Sequence, residues 1–258
     1  MKIFYILLVL TVIGAGRIQA QTVDEIINAY FEKIGGKENW RSLQGIRIKG
    51  KMKSPMRNTE IEMTTVYLKD GRQYSITNMQ GREIKQRVFD GETLWNTNFM
   101  SGKAEKTNSE ATENFKRTAG KDFPDPFLDY KEKGYTAELM GKETVEGVEC
   151  FKIKLIKTPR IIDGQEQQHF AVYYFDTENY VPIAMEMNGF GGGGMAGRGG
   201  RGGNRQMLSV LSDYQEVEGL YFPFSRTTGR GAMIIENITL NPKVDDADFK
   251  MPEDNDEK

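Results

Sequence analysis

The first hydrophobic pattern of the chain has the period of an α-helix. In TVDEIINAYFEKIGG, residues 22–36, apolar side chains recur every three or four positions and form one stripe. The residues of this stripe are Ile26, Ile27, Tyr30, Phe31 and Ile34. Thr22 is a suitable N-cap and Gly35-Gly36 a stop signal, so the pattern predicts an amphipathic helix that lies on another layer. A second, short helix is predicted over residues 37–43, around Trp40.

From Gln44 onward the hydrophobic period changes to two. In GIRIKGKMK, residues 45–53, Ile46, Ile48 and Met52 alternate with basic residues. This alternation predicts a half-buried antiparallel strand with a polar, basic outer face.

The next strand carries two apolar pairs that are out of phase with each other. Ile61 and Met63 lie on one face of a regular strand, whereas Val66 and Leu68 lie on the other. A β-bulge near Thr64-Thr65 would bring all four side chains to one side. The pattern therefore predicts a bulge at that point.

Turn signals divide the rest of the chain into strand-like runs. They are Asp70-Gly71, Asp90-Gly91, Glu146-Gly147 and Glu218-Gly219. Residues 108–133 interrupt the runs with helical composition, a capping box at Thr107 and Glu110, and a break at Pro124 and Pro126. We predict a mainly β fold with helices (α+β). It is a curved antiparallel sheet or incomplete β-barrel of about eleven strands, covered by the N-terminal helix and this central helical segment.

The first 20 residues have the composition of a secretory signal peptide. Lys2 precedes an apolar run from Ile3 to Ile13, and small residues lead to a cleavage point after Ala20. The run is about half the roughly 20 residues that a membrane-spanning helix needs, which disfavours the alternative of a permanent anchor. No cysteine follows the run, so we expect an unlipidated protein in the periplasm, with residues 21–258 as a single domain.

Charge and cysteine content narrow the classes of partner. The 35 basic and 37 acidic side chains give a net charge of −2, which argues against nucleic acid as a partner. Cys150 is the single cysteine, so no disulfide can form within the chain. It lies in the strand-like run VECFKIKL, where we expect a buried thiol rather than a reactive one.

A glycine-rich segment, NGFGGGGMAGRGGRGGNR at residues 188–205, separates two strand-like runs. Its composition cannot build a core and predicts a flexible hairpin loop. RNA binding and phosphate binding are disfavoured, because the chain is expected to be exported and no helix follows the segment. Arg198, Arg201 and Arg205 are candidates for contact with anionic lipid headgroups.

No group of residues has the pattern of a catalytic centre. His169 is the only histidine and precedes a strand, where we expect an ordinary surface residue. The carboxylate pairs Asp122/Asp125 and Asp245/Asp246 are interpreted as solvated turn formers. We therefore expect no enzyme activity, no metal and no cofactor.

Apolar side chains on alternate strand positions form the candidate ligand-binding surface. We expect it to be lined by Ile46, Ile48, Met52, Ile61, Met63, Phe127, Phe170, Val172, Tyr174, Ile183 and Met185. Methionine is flexible and suits surfaces that adapt to variable partners. Such a sheet can be packed solid or enclose an apolar cavity, and periodicity leaves both possibilities open.

The order of these features resembles the LolA/LolB-like superfamily of periplasmic lipoprotein-sorting carriers. The resemblance rests on the signal peptide and on the segments DEIINAYFEKIGG, GIRIKGKMK, GKETVEGVECFKIKL, VYYFDTENYVPIAMEM, LSDYQEVEGLYFPFSRT and IIENITLNPKVDDADFKMP. The last segment, with Phe249 and Pro252 after its acidic residues, is the most characteristic. The glycine-rich insert departs from the pattern.

The resemblance implies an open β-barrel with helices over an apolar cavity. It implies a monomeric periplasmic carrier that binds lipid or lipoprotein acyl chains for transfer toward the outer membrane. A non-catalytic envelope module with a packed barrel is the alternative. An exported hydrolase is the third and weakest hypothesis.

Overall fold

The computed structural model describes residues 21–54, 59–79, 81–187, 207–229 and 231–252. The helices are α1 (Val23–Lys33), α2 (Lys37–Ser42), α3 (Ser109–Thr118) and a short 3₁₀ turn (Asp246–Asp248). The strands are β1 (Gly45–Ser54), β2 (Thr59–Leu68), β3 (Gln73–Met79), β4 (Arg82–Phe89), β5 (Leu94–Thr97), β6 (Ala104–Lys106), β7 (Thr136–Val145), β8 (Val148–Ile162), β9 (Gln165–Asp176), β10 (Pro182–Met187), β11 (Met207–Val217), β12 (Leu220–Thr228) and β13 (Gly231–Leu240). Among the described residues, no helix is both long and apolar enough to cross a bilayer.

All the described strands belong to one antiparallel sheet of 13 strands, in the order β6-β5-β4-β3-β2-β1-β13-β12-β11-β10-β9-β8-β7. The strands β6 and β7 stand at opposite ends of this order, so the sheet is open. The prediction of a mainly β fold with an open antiparallel sheet is confirmed, but the expected number of about eleven strands is too low. The two missed strands are the edges β6 and β7. Their residues are mostly exposed and carry no apolar alternation.

The first strand and the last strand meet in the middle of the sheet. Ile46 of β1 lies opposite Leu240 of β13, and on its other side opposite Tyr67 of β2. The two halves of the meander are therefore joined along β1 and β13. Every other pairing connects consecutive strands.

Helix α1 forms as its sequence predicts. The Thr22 hydroxyl accepts from the Glu25 amide at 3.3 Å, and the Glu25 carboxylate accepts from the Thr22 amide at 2.7 Å, a complete capping box. At the other end, the Ile34 carbonyl accepts from the Tyr221 amide at 3.1 Å. Gly35 approaches the β11–β12 turn so closely that a Cβ there would lie 2.2 Å from the Gly219 carbonyl oxygen.

The central helical segment differs from its prediction at its start. Asn108 caps α3, its side chain accepting from the Ala111 amide at 2.7 Å. Thr107 instead donates to the Leu94 carbonyl at 3.0 Å, and the Glu110 carboxylate accepts from the Gly164 amide at 3.2 Å. The predicted box at Thr107 and Glu110 is therefore wrong, because both side chains bond to neighbouring strands.

Strand β2 is regular, and the predicted bulge at Thr64-Thr65 is wrong. Its pairing with β1 runs without a shift from Gly45 opposite Leu68 to Ser54 opposite Thr59. Val66 and Leu68 are buried on the other face of the sheet from Ile61, against Phe249 of the C-terminal segment. The two apolar pairs of β2 are out of phase because they point to opposite faces of the sheet: Ile61 and Met63 to the inner face, Val66 and Leu68 to the outer.

The sheet therefore has an inner face, on which α1 packs, and an outer face. The inner cluster joins α1, α2 and residues 123–135 to apolar side chains of β1, β8, β9, β12 and β13. Two outer clusters bury the opposite face, one around Phe249 and Trp95 and one around Cys150 and Tyr174. The Cys150 thiol is fully buried, as predicted.

Candidate functional site

The inner face is the candidate site because only part of it is filled. Residues directly opposite each other in an antiparallel pair point to the same side of the sheet. By this rule Met52 shares the inner face with Ile61 on β2 and with Met233 on β13. Met187 faces Met207 on the neighbouring pair, and Met185 packs against the inner cluster.

We call this surface the methionine wall. It consists of Met52, Met63, Met185, Met187, Met207 and Met233. Met52, Met187 and Met207 are 40%, 45% and 41% exposed, although they lie on the face that α1 covers elsewhere. A folded protein rarely leaves several large apolar side chains open on one surface without a partner. The wall thus offers an unfilled apolar surface of adaptable side chains.

The structure brings seven of the predicted lining residues to the inner side. Ile46 and Phe127 are buried in the inner cluster, and Ile48 and Met185 pack at its edge. Met52, Ile61 and Met63 lie farther along, on the partly exposed ends of β1 and β2. These seven residues are therefore on the predicted face, with the exposed ones in the methionine wall or beside it.

Four predicted lining residues lie on the outer face instead. They are Phe170, Val172, Tyr174 and Ile183, all in the outer cluster around Cys150. On β9 the inner positions belong to Ala171, Tyr173 and Phe175. Both faces of β9 are buried, so its apolar residues carry no alternation that identifies the inner side.

Tyr67 lies on the inner face, directly opposite Ile46 of β1. Its side chain is 39% exposed, yet desolvation by the surrounding protein raises the pKa of its phenol. The nearby charges of Arg87 and Arg226 oppose that shift.

Asp122 is exposed, as the sequence suggested, whereas Asp125 is a turn former that is not fully solvated. Asp125 accepts from the Tyr30 hydroxyl at 2.8 Å and from the Phe127 amide at 2.8 Å, and burial raises the pKa of its carboxyl. Asp122 accepts from the Lys157 ammonium at 2.8 Å. The two carboxylates tie residues 119–135 to α1 and β8. In the C-terminal pair, Asp245 caps the 3₁₀ turn as a turn former should.

His169 was expected at the surface and is buried instead. It is 8% exposed, lies opposite Lys157 on the inner face, and its Nδ1 has no hydrogen-bond partner. Burial and the positive charges of Arg160 and Lys157 lower the pKa of the imidazole to about 4. The local pattern does not predict this burial, because His169 follows four polar residues in a row.

Two hollows beside α1 are less suited to an acyl chain. Their volumes are about 210 and 360 Å³, and both are bordered by Asp24, Tyr130 and Lys131. The Lys131 ammonium lies 2.6 Å from the Asp24 carboxylate, so an ion pair stands at their shared edge. Their lining is charged where the methionine wall is apolar.

Some predictions lie outside the described residues. They concern the signal peptide at residues 1–20 and the glycine-rich segment 188–205, including Arg198, Arg201 and Arg205. Within the ranges that the structure describes, no group of three or more His, Cys, Asp and Glu side chains is placed to hold a metal ion.

No protein-family model matches the sequence, and no curated protein matches it. Solved structures match the fold. A DUF1329 family protein from Desulfovibrio piger is similar with a TM-score of 0.52 at 13% identity, over 88% of this chain and 97% of that chain. A LolA superfamily protein from Nitrosomonas europaea is similar with a TM-score of 0.50 at 12% identity, over 90% of this chain and 98% of that chain. The chain therefore has a LolA-like fold.

Proposed function

We propose that the protein is a non-enzymatic carrier that binds acyl chains of lipids or lipoproteins on the methionine wall. One observation carries the proposal. Met52, Met187 and Met207 stay exposed on the inner face of a sheet whose other half is filled by α1 and residues 123–135. An acyl chain supplies the apolar surface that these side chains lack.

Physical chemistry supports a reversible carrier. Each CH₂ group removed from water contributes about 0.8 kcal/mol, so a chain that lies along the wall binds well without a covalent link. Methionine side chains adjust to chains of different length and saturation because they are unbranched and polarisable. A carrier needs this combination, since it must hold its cargo in water and then release it.

The expected location agrees with this role. The signal-peptide pattern of residues 1–20 and the LolA-like fold both favour the periplasm, with transfer toward the outer membrane. The carrier acts as an unlipidated monomer in this proposal. In this proposal Arg198, Arg201 and Arg205 contact anionic lipid headgroups at the membrane surface.

A packed envelope module is the second candidate. The filled half of the inner face favours it, since Phe127, Leu155 and Phe175 are buried there as in an ordinary core. The two candidates differ in what the methionine wall does. A carrier takes up an acyl chain from solution, and a packed module does not.

Binding of a fatty acid labelled with the fluorophore NBD tests the proposal. We expect Met207→Asp and Met52→Asp to weaken binding by about tenfold or more, because a carboxylate in an apolar contact must be desolvated. Both side chains are partly exposed, so the folded protein tolerates the change. Met100→Asp is the matched control, because Met100 lies 88% exposed outside the wall, in the β5–β6 turn.

Two results would contradict the carrier. One is that the wild-type protein does not bind the labelled fatty acid and carries no lipid in native mass spectrometry. The other is that Met52→Asp, Met207→Asp and Met100→Asp all bind it as the wild type does.

A further inference from the structure

Three arginines of the sheet, Arg87, Arg160 and Arg226, lie near one another, since the charge of Arg87 acts on Arg160 and the charges of Arg87 and Arg226 act on Tyr67. Arg226 of β12 lies directly opposite Met233 on one side and Leu211 on the other. One of its terminal nitrogens is 3.2 Å from the Ser209 hydroxyl oxygen. Arg226 therefore lies on the inner face, directly beside Met233 of the methionine wall.

Arg160 belongs to the same face by register. It lies opposite Gln167, two positions before His169, which in turn alternates with the inner residue Ala171. Arg160 is half-buried. The backbone of the next residue, Ile161, forms two hydrogen bonds with the Asn114 side chain of α3, at 2.6 and 2.7 Å.

Arg87 lies on β4, in the other half of the sheet. Its guanidinium carbon lies 5.5 Å from the ring centre of Phe115, the residue after Asn114 in α3. Phe115 packs in turn on Phe89, with ring centres 4.8 Å apart. Two consecutive residues of α3 thus contact both strands. Phe115 contacts Arg87 of β4, and Asn114 bonds to the residue after Arg160 on β8.

None of these three guanidinium groups forms an ion pair in the part of the chain that the structure describes, although the charge of Asp122 acts on Arg160. Arg41, Arg72 and Arg117 each form an ion pair with Asp or Glu. Desolvation and then the charge of Arg87 lower the pKa of Arg160. Arg160 and Arg226 are half-buried and Arg87 is exposed beside them; like charges at partly buried positions are costly unless an anion joins them.

We propose that Arg87, Arg160 and Arg226 bind the anionic headgroup, a carboxylate or a phosphate, of an amphiphile whose acyl chain lies on the methionine wall. The inference rests on the proposed function and deepens it. Guanidinium groups match both anions with paired hydrogen bonds. The Tyr67 phenol lies near Arg87 and Arg226, and the buried His169, whose Nδ1 has no hydrogen-bond partner, lies near Arg160.

The position of Arg226 favours an amphiphile over a free anion. Met233 is its direct cross-strand neighbour, and Met52 is the next residue across the sheet. Headgroup and chain sites are therefore continuous along one row of the inner face. A ligand with a charged end and an apolar chain fills both at once.

Two probes with the same acyl chain, one charged and one neutral, test the assignment. They are NBD-labelled dodecanoic acid and its methyl ester. At low salt we expect the wild-type protein to bind the acid about tenfold more tightly than the ester. Arg160→Gln and Arg226→Gln should remove this preference and leave the affinity for the ester unchanged. Lys49→Gln, which removes one positive charge from the outer face, should keep it.

The outcomes separate the two proposals. If neither probe binds, the carrier function fails. If the wild-type protein binds acid and ester equally, the carrier stands and the headgroup site is overturned. If inorganic phosphate alone binds in calorimetry as tightly as the acid probe, the site serves a free anion and the amphiphile is overturned.

Thermal unfolding of the ligand-free variants excludes a trivial loss of structure. Arg160→Gln should leave the melting temperature unchanged or raise it, because it removes a desolvated charge that Arg87 repels. A lower melting temperature together with weaker binding of the ester would show that Arg160 supports the fold instead, and would overturn its assignment.

Discussion

The side-chain amide of Asn114 on α3 forms two hydrogen bonds with the backbone of Ile161 on β8. Its Nδ2 donates to the Ile161 carbonyl at 2.6 Å, and its Oδ1 accepts from the Ile161 amide at 2.7 Å. The next residue, Phe115, packs on Phe89 of β4. Helix α3 therefore connects two distant strands of the open sheet and stands across its gap.

Asn114→Ala should loosen this connection. It leaves the two Ile161 backbone groups without their partners, which costs about 1–3 kcal/mol at a partly buried site. We expect faster amide hydrogen exchange in residues 109–118 and faster release of a bound acyl probe. Glu113→Ala is the control, because Glu113 is exposed on the same helix. Unchanged exchange and release in Asn114→Ala would show that other contacts hold α3.

The burial of His169 predicts a loss of stability in mild acid. The pKa of its imidazole is about 4 in the folded state and about 6.5 in an unfolded chain. Between these values the unfolded state binds a proton that the folded state does not. His169 therefore lowers stability as pH falls through this window, by about 1 kcal/mol per pH unit.

Urea unfolding at pH 7 and pH 5 measures this effect. The wild-type protein should lose about 2 kcal/mol more than His169→Gln between the two pH values. The comparison isolates one group, because His169 is the only histidine in the chain. Equal losses in the two proteins would mean that the imidazole is protonated in the folded state at pH 5.

Phe249 should contribute to stability but not to acyl binding. It is almost fully buried on the outer face, its ring centre lies 5.2 Å from that of Tyr74, and its carbonyl accepts from the Trp95 indole at 3.0 Å. Phe249→Ala should cost about 3–5 kcal/mol and shift the fluorescence of Trp95 to the red. The affinity of the folded fraction for an acyl probe should not change; a lost affinity would place Phe249 in the ligand site.

Gly50 is required where β1 shifts its register against β13. The shift falls between Lys49 and Gly50, and a Cβ on Gly50 would lie 2.2 Å from the Ile234 carbonyl oxygen. Gly50→Ala should therefore destabilise the fold by about 1–3 kcal/mol, measured by urea unfolding. Gly229→Ala is the control, since a Cβ there meets nothing within 4 Å. A neutral Gly50→Ala would mean that the register adjusts freely.

The sequence predicts an element well where one face is buried. The α1 stripe and its capping box at Thr22 are confirmed, and so is the alternation of Ile46, Ile48 and Met52 on β1. Periodicity fails where both faces are buried, because an apolar residue at every position no longer distinguishes the two sides. For this reason Phe170 and Tyr174 were predicted on the wrong face of β9.

The polar part of the site could not be predicted from local patterns. Arg87, Arg160 and Arg226 stand on three strands that are far apart in sequence, and only the curvature of the sheet and α3 relate them. The burial of His169 is likewise not visible in the local sequence pattern. The edge strands β6 and β7 escaped prediction because they bury almost nothing.

Photo-crosslinking with a fatty acid that carries a diazirine near the end of its chain tests the central claim most directly. Mass spectrometry then locates the labelled residues. The account predicts labels on the methionine wall, above all at Met52, Met187 and Met207. Labels concentrated on the outer-face residues Phe170 and Tyr174, or no specific label at all, would contradict it.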